Sequence, residues 1–345
     1  MKRYRFKIMS ICLMLLLSGC AGSDNLEKAG KIEEVQKIQI GLSWDSFVLE
    51  RWQRDRDVFT STATEMGAEI NIQNANGDIE KQISQIEYLM EKKVDVIVVV
   101  AVESDSEGLR KAVNKAQNAG IKIVAYDRLI KNANVDLYIS FDNEKVGELM
   151  AQYALDDLSS DGKIAAIMGA PKDNNVSQVE AGLMKVLEDN NQFLVYKDYA
   201  PEWKAEYGYE CAEACLNQQG EIDVLICGND TLASGAFRSL SERKLVNKVK
   251  LIGQDADISA CQRIVEDQQY MTVYKDLQIL AKQAAQYSVA LAKDKSINTQ
   301  NTMFDGLYKV PAYCLEPVAV TKDNLDEEII DSQFHFRDEV YLHSK

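Results

Sequence analysis

The sequence predicts an α/β protein made of two similar lobes, each built on a doubly wound parallel sheet. Short apolar strands alternate with amphipathic helices from Ile38 onwards, which is the pattern of repeated βαβ units. The alternation runs in two series, and a chain of 345 residues has room for two domains that each bury a core. Right-handed crossovers then place helices on both faces of each sheet.

The first series contains four strands and three helices. We expect strands at residues 38–44, 69–73, 95–101 and 121–126, and helices near residues 47–66, 79–92 and 105–119. The tripeptide Asn118-Ala119-Gly120 is typical of a helix end, because glycine readily adopts the left-handed conformation that such a cap requires.

The second series follows a short apolar segment at residues 138–141. Strands are predicted at residues 163–168, 194–199, 223–227, 249–253 and 270–274, with helices between them. A helix at 279–292 and the stretch 306–320 remain after Lys275, which is too little for a third domain. We interpret the acidic run at residues 323–328 as the start of a solvated helix.

Residues 1–19 have the features of a bacterial lipoprotein signal. Four basic residues between positions 2 and 7 precede an apolar core at 8–17 that is too short to span a membrane stably. Leu17-Ser18-Gly19-Cys20 then matches the pattern in which the cysteine becomes the lipid-carrying N-terminus; an ordinary secretory peptide is the alternative. Residues 20–36 are polar and rich in small residues, which predicts a flexible tether. We therefore expect a protein anchored through Cys20 on the extracytoplasmic face of the cell membrane.

The net charge argues against nucleic acid as a partner, and the cysteine spacing argues against disulfides and a zinc site. Loss of residues 1–19 would move the formal net charge from −15 to −19, and such acidity argues against nucleic acid. Five cysteines lie beyond Cys20 without a CxxC pair, namely Cys211, Cys215, Cys227, Cys261 and Cys314. Cys211 and Cys215 share a helix face, which suits neither a disulfide nor, without nearby histidines, a zinc site. We interpret the five as packing residues and expect no metal and no cofactor.

Side chains that form hydrogen bonds follow strand after strand. They are Arg51, Asp127, Arg128, Asn174, Asn175, Trp203, Asn229, Asp230, Asp255 and Lys275. Because ligands of open α/β sheets bind outside the carboxyl ends of the strands, we expect these side chains to face a binding crevice. Carboxylates, amides and guanidinium groups can each bind two neighbouring sugar hydroxyls, and an aromatic ring such as Trp203 suits the C–H face of a pyranose. Trp44 and Phe47 are further candidates, whereas Trp52, on a helix, is more typical of core packing.

Several long blocks resemble the bacterial xylose-binding proteins of the periplasmic sugar-binding superfamily. The blocks are LERWQRDRD (49–57), ANGDIEKQISQIE (75–87), AYDR (125–128), YISFDNEKVGEL (138–149), GQDAD (253–257) and MTVYK (271–275). The resemblance runs from about Ile38 to the C-terminus. It implies a type I periplasmic binding protein fold, in which three segments form a hinge between the lobes. The implied division is a first lobe of residues 37–140 and 277–312 and a second lobe of residues 141–276 and 313–335.

The resemblance also implies a set of sugar-binding residues. The matching positions are Arg51, Asp127, Arg128, Asn175, Trp203, Asn229, Asp255 and Lys275, and each keeps a residue type able to bind a pentose. One position departs from the family pattern, because Glu180 stands where the family carries an arginine that reaches the sugar. Glu180 is therefore a further candidate, and it leaves the identity of the ligand open.

The sequence offers little support for catalysis. The only histidines, His335 and His343, fall in the C-terminal tail, beyond the predicted lobes, and the common nucleophile and nucleotide motifs are missing. Asp127 and Asp255 could form a glycosidase pair, but each has a basic neighbour that would lower its pKa and leave no acid. We expect a binding protein that closes on a monosaccharide, with D-xylose favoured, and delivers it to an ABC permease and its ATPase. The alternative is a sugar-sensing subunit of a membrane histidine kinase or chemoreceptor.

Overall fold

Two α/β lobes make up the part of the chain that the structure, a computed structural model, describes, namely residues 37–299 and 301–342. The signal, Cys20 and the tether lie outside these residues. Each lobe is built on one sheet, and nearly every predicted strand and helix is present within a few residues of its expected ends. The prediction of two doubly wound α/β lobes is confirmed.

The first lobe contains a seven-stranded sheet in the order β2-β1-β3-β4-β5-β12-β11. Its strands are β1 (Ile38–Trp44), β2 (Ala68–Asn74), β3 (Val96–Val99), β4 (Lys122–Tyr126), β5 (Leu137–Phe141), β11 (Asn301–Phe304) and β12 (Lys309–Leu315). All neighbours are parallel except β11 and β12. The helices of this lobe are α1 (Glu50–Glu65), α2 (Ile79–Glu91), α3 (Glu107–Asn118) and α9 (Leu277–Ala292). After α3, Gly120 has a φ of 87°, as the helix-end pattern predicts.

The second lobe contains a six-stranded sheet in the order β7-β6-β8-β9-β10-β13. Its strands are β6 (Ile164–Met168), β7 (Leu194–Tyr199), β8 (Val224–Cys227), β9 (Lys250–Gln254), β10 (Met271–Tyr274) and β13 (Val318–Val320), of which β13 is antiparallel to β10. Its helices are α4 (Asn143–Leu155), α5 (Asn174–Asp189), α6 (Ala205–Gln219), α7 (Asp230–Glu242), α8 (Ile258–Val265) and α10 (Arg337–Val340). The orders β2-β1-β3-β4-β5 and β7-β6-β8-β9-β10 are the same, so the two lobes are topological repeats.

Three segments connect the lobes. The chain crosses between β5 and α4, between β10 and α9, and between β12 and β13. β12 pairs with β5 as far as Leu315, so residues 313–315 belong to the first sheet although the sequence assigned them to the second lobe. Phe141 likewise ends β5, because its backbone continues the same ladder.

The acidic run near residue 326 differs from its prediction. Residues Asp326–Asp331 form a single π-helical turn; Ile329 within it and Leu325 directly before it are fully buried. The segment is therefore attached to the protein core through apolar side chains, and only its acidic face is solvated.

Glycines allow the helices of the second lobe to pack with their backbones in contact. A Cβ atom on Gly147 of α4 would lie 1.9 Å from the carbonyl oxygen of Val179, and one on Gly182 of α5 would lie 1.9 Å from that of Glu144. No real side chain tolerates such distances, and a backbone cannot move aside as a flexible side chain can. The close approach of α4 and α5 therefore depends on these two glycines.

Gly182→Ala should destabilise the second lobe by about 1–3 kcal/mol, the usual cost of overpacking a core. The matched control is Gly108→Ala on α3, where the new methyl group would meet only the flexible end of Ile83. Thermal unfolding followed by circular dichroism should give a lower Tm for Gly182→Ala than for Gly108→Ala. Equal Tm values would show that α4 and α5 can separate without cost.

Candidate functional site

All eight predicted sugar-binding side chains line one small cavity between the lobes, with a volume of about 30 Å³. The first lobe contributes Arg51 from the first turn of α1, and Asp127 and Arg128 from the end of β4. The second lobe contributes Asn175, Trp203, Asn229 and Asp255, and Lys275 follows β10. The parallel topology explains this convergence, because the carboxyl ends of parallel strands lie at the same edge of a sheet.

Charged groups from both lobes meet at the centre of this cavity. Arg51 Nη2 donates to Asp127 Oδ1 at 2.8 Å, and Arg51 Nη1 lies 3.7 Å from Asp255 Oδ1. Lys275 Nζ lies 2.6 Å from the same Asp255 oxygen. Burial alone would raise the pKa of Asp127, but Arg51, Lys275 and Arg128 outweigh it and lower that pKa. Asp127 is therefore a hydrogen-bond acceptor at neutral pH, as its sequence context predicts.

The two central aspartates have the same unusual backbone. Asp127 follows β4 with a φ of 64°, and Asp255 follows the topologically equivalent β9 with a φ of 96°. The N–H of Asp127 donates to Ile139 on the neighbouring strand at 2.7 Å, and that of Asp255 donates to Val273 at 2.9 Å. Left-handed conformations are costly for residues other than glycine and persist where the surroundings enforce them. Here each one turns a carboxylate from its strand into the crevice.

The lobes also contact each other beside the central charges. Asn175 Nδ2 donates to Asp127 Oδ2 at 3.1 Å, and Arg128 Nε lies 2.7 Å from Asp173 Oδ2. The amide oxygen of Asn174 accepts from the hydroxyl of Ser104 at 3.0 Å and from a backbone N–H of the first lobe at 2.8 Å. These contacts join residues of the two lobes, so the structure is a closed form.

Two tryptophans border the cavity from opposite lobes. Trp203 lies against bare backbone at the ends of β6 and β8, since a Cβ atom on Gly169 would fall 1.8 Å from its ring and one on Gly228 would fall 3.2 Å away. Trp52 lines the cavity from α1, with the guanidinium carbon of Arg51 at 4.3 Å from its ring centre. The sequence analysis placed Trp52 in the core because it lies on a helix. Trp52 is in fact buried and at the same time lines the cavity, beside Arg51 in the chain.

Asp55 supports the site, although its role was not predicted from the sequence. Its carboxylate is fully buried, accepts a short hydrogen bond from the Tyr126 hydroxyl, and lies 3.4 Å from Arg51 Nε. Burial raises the pKa of Asp55 to about 6, although Arg51 and Tyr126 act against that shift. The available signal was the four-residue spacing of Arg51 and Asp55, which places both on one helix face.

The three additional candidates lie outside this cavity. Trp44 is fully buried and packs on Tyr126 and Trp52, with ring centres 5.4 and 6.5 Å apart, and Phe47 packs on Trp44. These two rings belong to the core of the first lobe. Glu180 forms an ion pair with Lys197 and accepts from the Tyr199 hydroxyl at 2.6 Å, so its carboxylate is paired with β7.

His335 differs from its prediction as well. It was assigned to a tail beyond the lobes, yet it is 2% exposed and contacts both of them. His343 lies outside the described residues. Of the five cysteines within the described part of the chain, four are buried and Cys314 is half-buried, and all five are free thiols. Within residues 37–299 and 301–342 no group of histidine, cysteine and acidic side chains could hold a metal ion, and no helix there is long and apolar enough to cross a membrane.

A buried carboxylate lies behind the second-lobe wall of the site. Asp230 accepts from Gln269 Nε2 at 2.8 Å, from Thr272 Oγ1 at 2.6 Å and from the N–H of Asp257 at 3.2 Å. Burial raises the pKa of Asp230 to about 7, although Thr272 and Arg263 oppose the shift. These hydrogen bonds fix the loop after β9 that carries Asp255.

Larger cavities lie elsewhere in the molecule. One of about 280 Å³ adjoins the central cavity and shares Leu49, Trp52, Arg128, Asp173 and Trp203 with it. Another of about 970 Å³ lies near the start of β8 and β9, at the opposite end of the second sheet, and none of the predicted site residues lines it. Convergent polar side chains, and not cavity size, identify the candidate site.

Comparison with known proteins agrees with this geometry. Residues 40–296 match the family model described as the periplasmic binding protein domain. The chain belongs to this family. It is 42% identical over 309 residues to the D-xylose-binding periplasmic protein of Haemophilus influenzae, covering 88% of this chain and 92% of that protein. The D-xylose-binding periplasmic protein of Escherichia coli is 38% identical over 338 residues, covering 96% of this chain and 98% of that protein.

A solved structure supports the same assignment. An ABC transporter solute-binding protein from Clostridium phytofermentans with bound β-D-glucose superposes with a TM-score of 0.79 at 27% identity, over 88% of this chain and 99% of that one. The fold of this periplasmic binding protein is therefore the two-lobed type I fold, as the sequence predicts.

The raised pKa of Asp230 can be tested through the pH dependence of protein stability. Because its pKa in the folded protein is raised from 3.8 to about 7, the folded state binds this proton more tightly than the unfolded state. The resulting stabilisation is present below pH 4 and is lost as the pH rises towards 7. Urea unfolding between pH 4.5 and 7.5 should therefore show the stability of the parent falling with rising pH relative to that of Asp230→Asn. Parallel pH profiles would contradict the raised pKa, whatever the constant offset between the two proteins.

Proposed function

We propose that this protein binds a monosaccharide outside the cytoplasm, with D-xylose the favoured ligand, and delivers it to an ABC sugar transporter. The support comes from two relatives at 42% and 38% identity that are named D-xylose-binding periplasmic proteins. It also comes from the convergence of eight hydrogen-bonding or aromatic side chains on one interlobe cavity. Convergence is the observation that carries the proposal, since the eight come from seven separate loops and helix starts.

The chemistry of these side chains suits a pyranose with neighbouring hydroxyl groups. Asp127 and Asp255 can only accept hydrogen bonds, Arg51, Arg128 and Lys275 can only donate, and the amides can do both. A sugar hydroxyl both donates and accepts. Acceptors and donors that alternate around the ring can therefore give each hydroxyl one donated and one accepted hydrogen bond. Trp52 and Trp203 would face the apolar C–H surfaces of the ring.

Closure of the lobes is the step that binding controls. A ligand can shift the balance between open and closed forms only by contacting the closed form better. A sugar held by Arg51 and Asp127 of the first lobe and by Asn229 and Asp255 of the second meets this condition. In the transport role the closed form docks on the permease; in the sensing alternative it docks on a membrane kinase or chemoreceptor.

The same groups favour binding over catalysis. A glycosidase of the usual two-carboxylate type needs one carboxyl group that is protonated near neutral pH. The pKa of Asp127 is lowered by Arg51 and Lys275, so Asp127 cannot serve as that acid. The two D-xylose-binding relatives are named as binding proteins.

Anchoring by lipid on Cys20 completes the proposal. The support is the basic start, the apolar core and the sequence Leu17-Ser18-Gly19-Cys20. Two acyl chains hold a protein stably on a membrane, whereas one chain does so only marginally. The tether at residues 20–36 would then leave the lobes free to reach a membrane partner.

Isothermal titration of the purified protein against D-xylose and a panel of pentoses and hexoses tests the ligand. Asp127→Ala and Asp255→Ala should each weaken sugar binding by well over tenfold, since truncating one partner of a buried charged pair costs about 2–5 kcal/mol. The matched control is Glu180→Gln, whose side chain is paired with β7; its affinity should change by less than about 0.5 kcal/mol.

Two results would overturn this proposal. One is a failure of the parent to bind any sugar of the panel at millimolar concentration. The other is a Glu180→Gln effect as large as that of Asp127→Ala, which would place the ligand elsewhere.

Membrane fractionation in a bacterial host with lipoprotein processing tests the anchor. Cys20→Ala should release the protein from the salt-washed membrane fraction, because the acceptor of the lipid is gone. Cys12→Ala, which alters a cysteine inside the apolar core of the signal, should stay in the membrane. Retention of Cys20→Ala after the salt wash would refute the lipid anchor.

A further inference from the structure

The C-terminal segment places a buried histidine between the lobes. His335 Nε2 lies 2.7 Å from the carbonyl oxygen of Ala256 in the second lobe, and His335 Nδ1 lies 3.0 Å from Arg54 Nη2 on α1 of the first lobe. A carbonyl oxygen can only accept and a guanidinium can only donate. The ring is therefore neutral, with its proton on Nε2 and a lone pair on Nδ1 that faces Arg54.

The segment is held firmly on the second lobe. The Phe334 ring packs edge-on against Tyr274 with ring centres 4.9 Å apart, and Gln262 Nε2 donates to the carbonyl of Glu339 at 2.8 Å. Lys322 Nζ also pairs with Asp267 at 2.6 Å. These contacts attach residues 322–339 to the second lobe.

Arg54 is the first-lobe side of the contact. Its Nη1 donates to the carbonyl oxygen of Phe334, its guanidinium carbon lies 4.6 Å from the Phe334 ring, and its Nη2 faces His335. Glu50, one turn earlier on α1, holds the same guanidinium at 3.2 Å. Separation of the lobes would break the contacts that Arg54 makes with Phe334 and His335.

Both ends of this contact adjoin the proposed sugar site. Arg54 lies one helical turn after Arg51, and Ala256 directly follows Asp255. Asp255 and Ala256 have φ values of 96° and 52°, so the loop that presents the carboxylate is strained over two consecutive residues. The hydrogen bond from His335 to Ala256 stabilises that loop, and Arg54 holds α1 against it.

We infer that His335 and Arg54 are positioning residues for sugar binding: they form a contact between the lobes that does not involve the ligand, and this contact holds Asp255 opposite Arg51. The sugar readout of this inference rests on the proposed function. The contact stabilises the closed form before any sugar binds. Less of the free energy of sugar binding is then spent on closing the lobes, so the measured affinity is higher.

The contact weakens when His335 is protonated. A proton on Nδ1 removes the lone pair and sets a positive ring against Arg54. Burial lowers the pKa of His335 from 6.5, and Arg54 lowers it further, while the Ala256 carbonyl and Glu50 partly offset both. A lowered pKa means that the closed form releases this proton, so the contact is at full strength above pH 6.5 and weakens as the pH falls below it.

Sugar affinity of the intact protein at pH 7.5 and 5.5 tests the inference. His335→Ala and Arg54→Ala should each weaken binding at pH 7.5 by about three- to tenfold, the range expected for the loss of one hydrogen bond. The double variant should be little weaker than either single one, because both remove the same contact. Arg337→Ala, which breaks an ion pair with Asp326 inside the segment, is the control and should bind like the parent.

His335→Gln distinguishes a positioning role of His335 from a general folding defect in the alanine variants. Its amide can donate to Ala256 and accept from Arg54 but cannot be protonated, so it should keep most of the affinity and show a smaller decline than the parent between pH 7.5 and 5.5. Parent-like affinity in both alanine variants, or the same decline in His335→Gln as in the parent, would overturn the inference.

Small-angle scattering without sugar distinguishes a failure of the His335 contact from a failure of the proposed sugar binding. The radius of gyration of His335→Ala should exceed that of the parent, because the open form gains population. Equal radii would refute the contact even if sugar binds as proposed, whereas a difference in radius without binding of any sugar would refute the proposed function and leave the contact standing.

Discussion

The closed arrangement depends on the pairing of buried charges at the ends of the strands. Removing a single ion from water costs several kcal/mol, which a well-placed opposite charge and additional hydrogen bonds can offset. Arg51 is 5% exposed and is bordered by Asp55 and Asp127 on its own lobe and by Asp255 on the other. Arg51 pairs with Asp127 inside the first lobe, and Asp255 pairs with Lys275 inside the second. Contact between the lobes adds Asp255 to the partners of Arg51 and pairs Arg128 with Asp173.

The repeated topology explains why the partners meet where they do. β4 and β9 occupy the same place in their sheets, and each ends in an aspartate with a left-handed backbone. The strain of each turn is held by a backbone hydrogen bond to the adjacent strand, and at Asp127 also by the Ser140 hydroxyl, which donates to its carbonyl at 2.8 Å. The same strand-end turn therefore occurs once in each lobe, and Arg51 lies between the two carboxylates, with Lys275 as the second partner of Asp255.

Sequence reasoning reached the parts of this arrangement that are local in the chain. Period-two and period-3.6 patterns give the strands and helices, and the residue after a strand is known once the strand is known, which is why Asp127 and Asp255 could be predicted. For Asp55 the chain gives only the four-residue spacing from Arg51, since its other partner, Tyr126, lies 71 positions away. His335 could not be predicted, since its partner Arg54 lies 281 positions away. Trp52 shows a different limit, because a helical apolar residue gives no sign of which neighbours its ring will border.

The closed form already contains internal hydrogen bonds that a sugar bound at the proposed site would have to exchange. Asn175 Nδ2 donates to Asp127 Oδ2 across the crevice at 3.1 Å, and Arg51 Nη2 holds the other oxygen of the same carboxylate. A sugar hydroxyl that bound the Asp127 carboxylate would replace the Asn175 amide or the Arg51 guanidinium. One good hydrogen bond would be exchanged for another, so the net gain in binding free energy would be small. A ligand that separates these groups but lacks the hydroxyl leaves a buried charge unpaired, which costs far more than the matching hydroxyl gains. At the proposed site, discrimination among sugars would therefore arise chiefly from the penalty for a missing or misplaced hydroxyl, and the pairing between the lobes is what would make that penalty large.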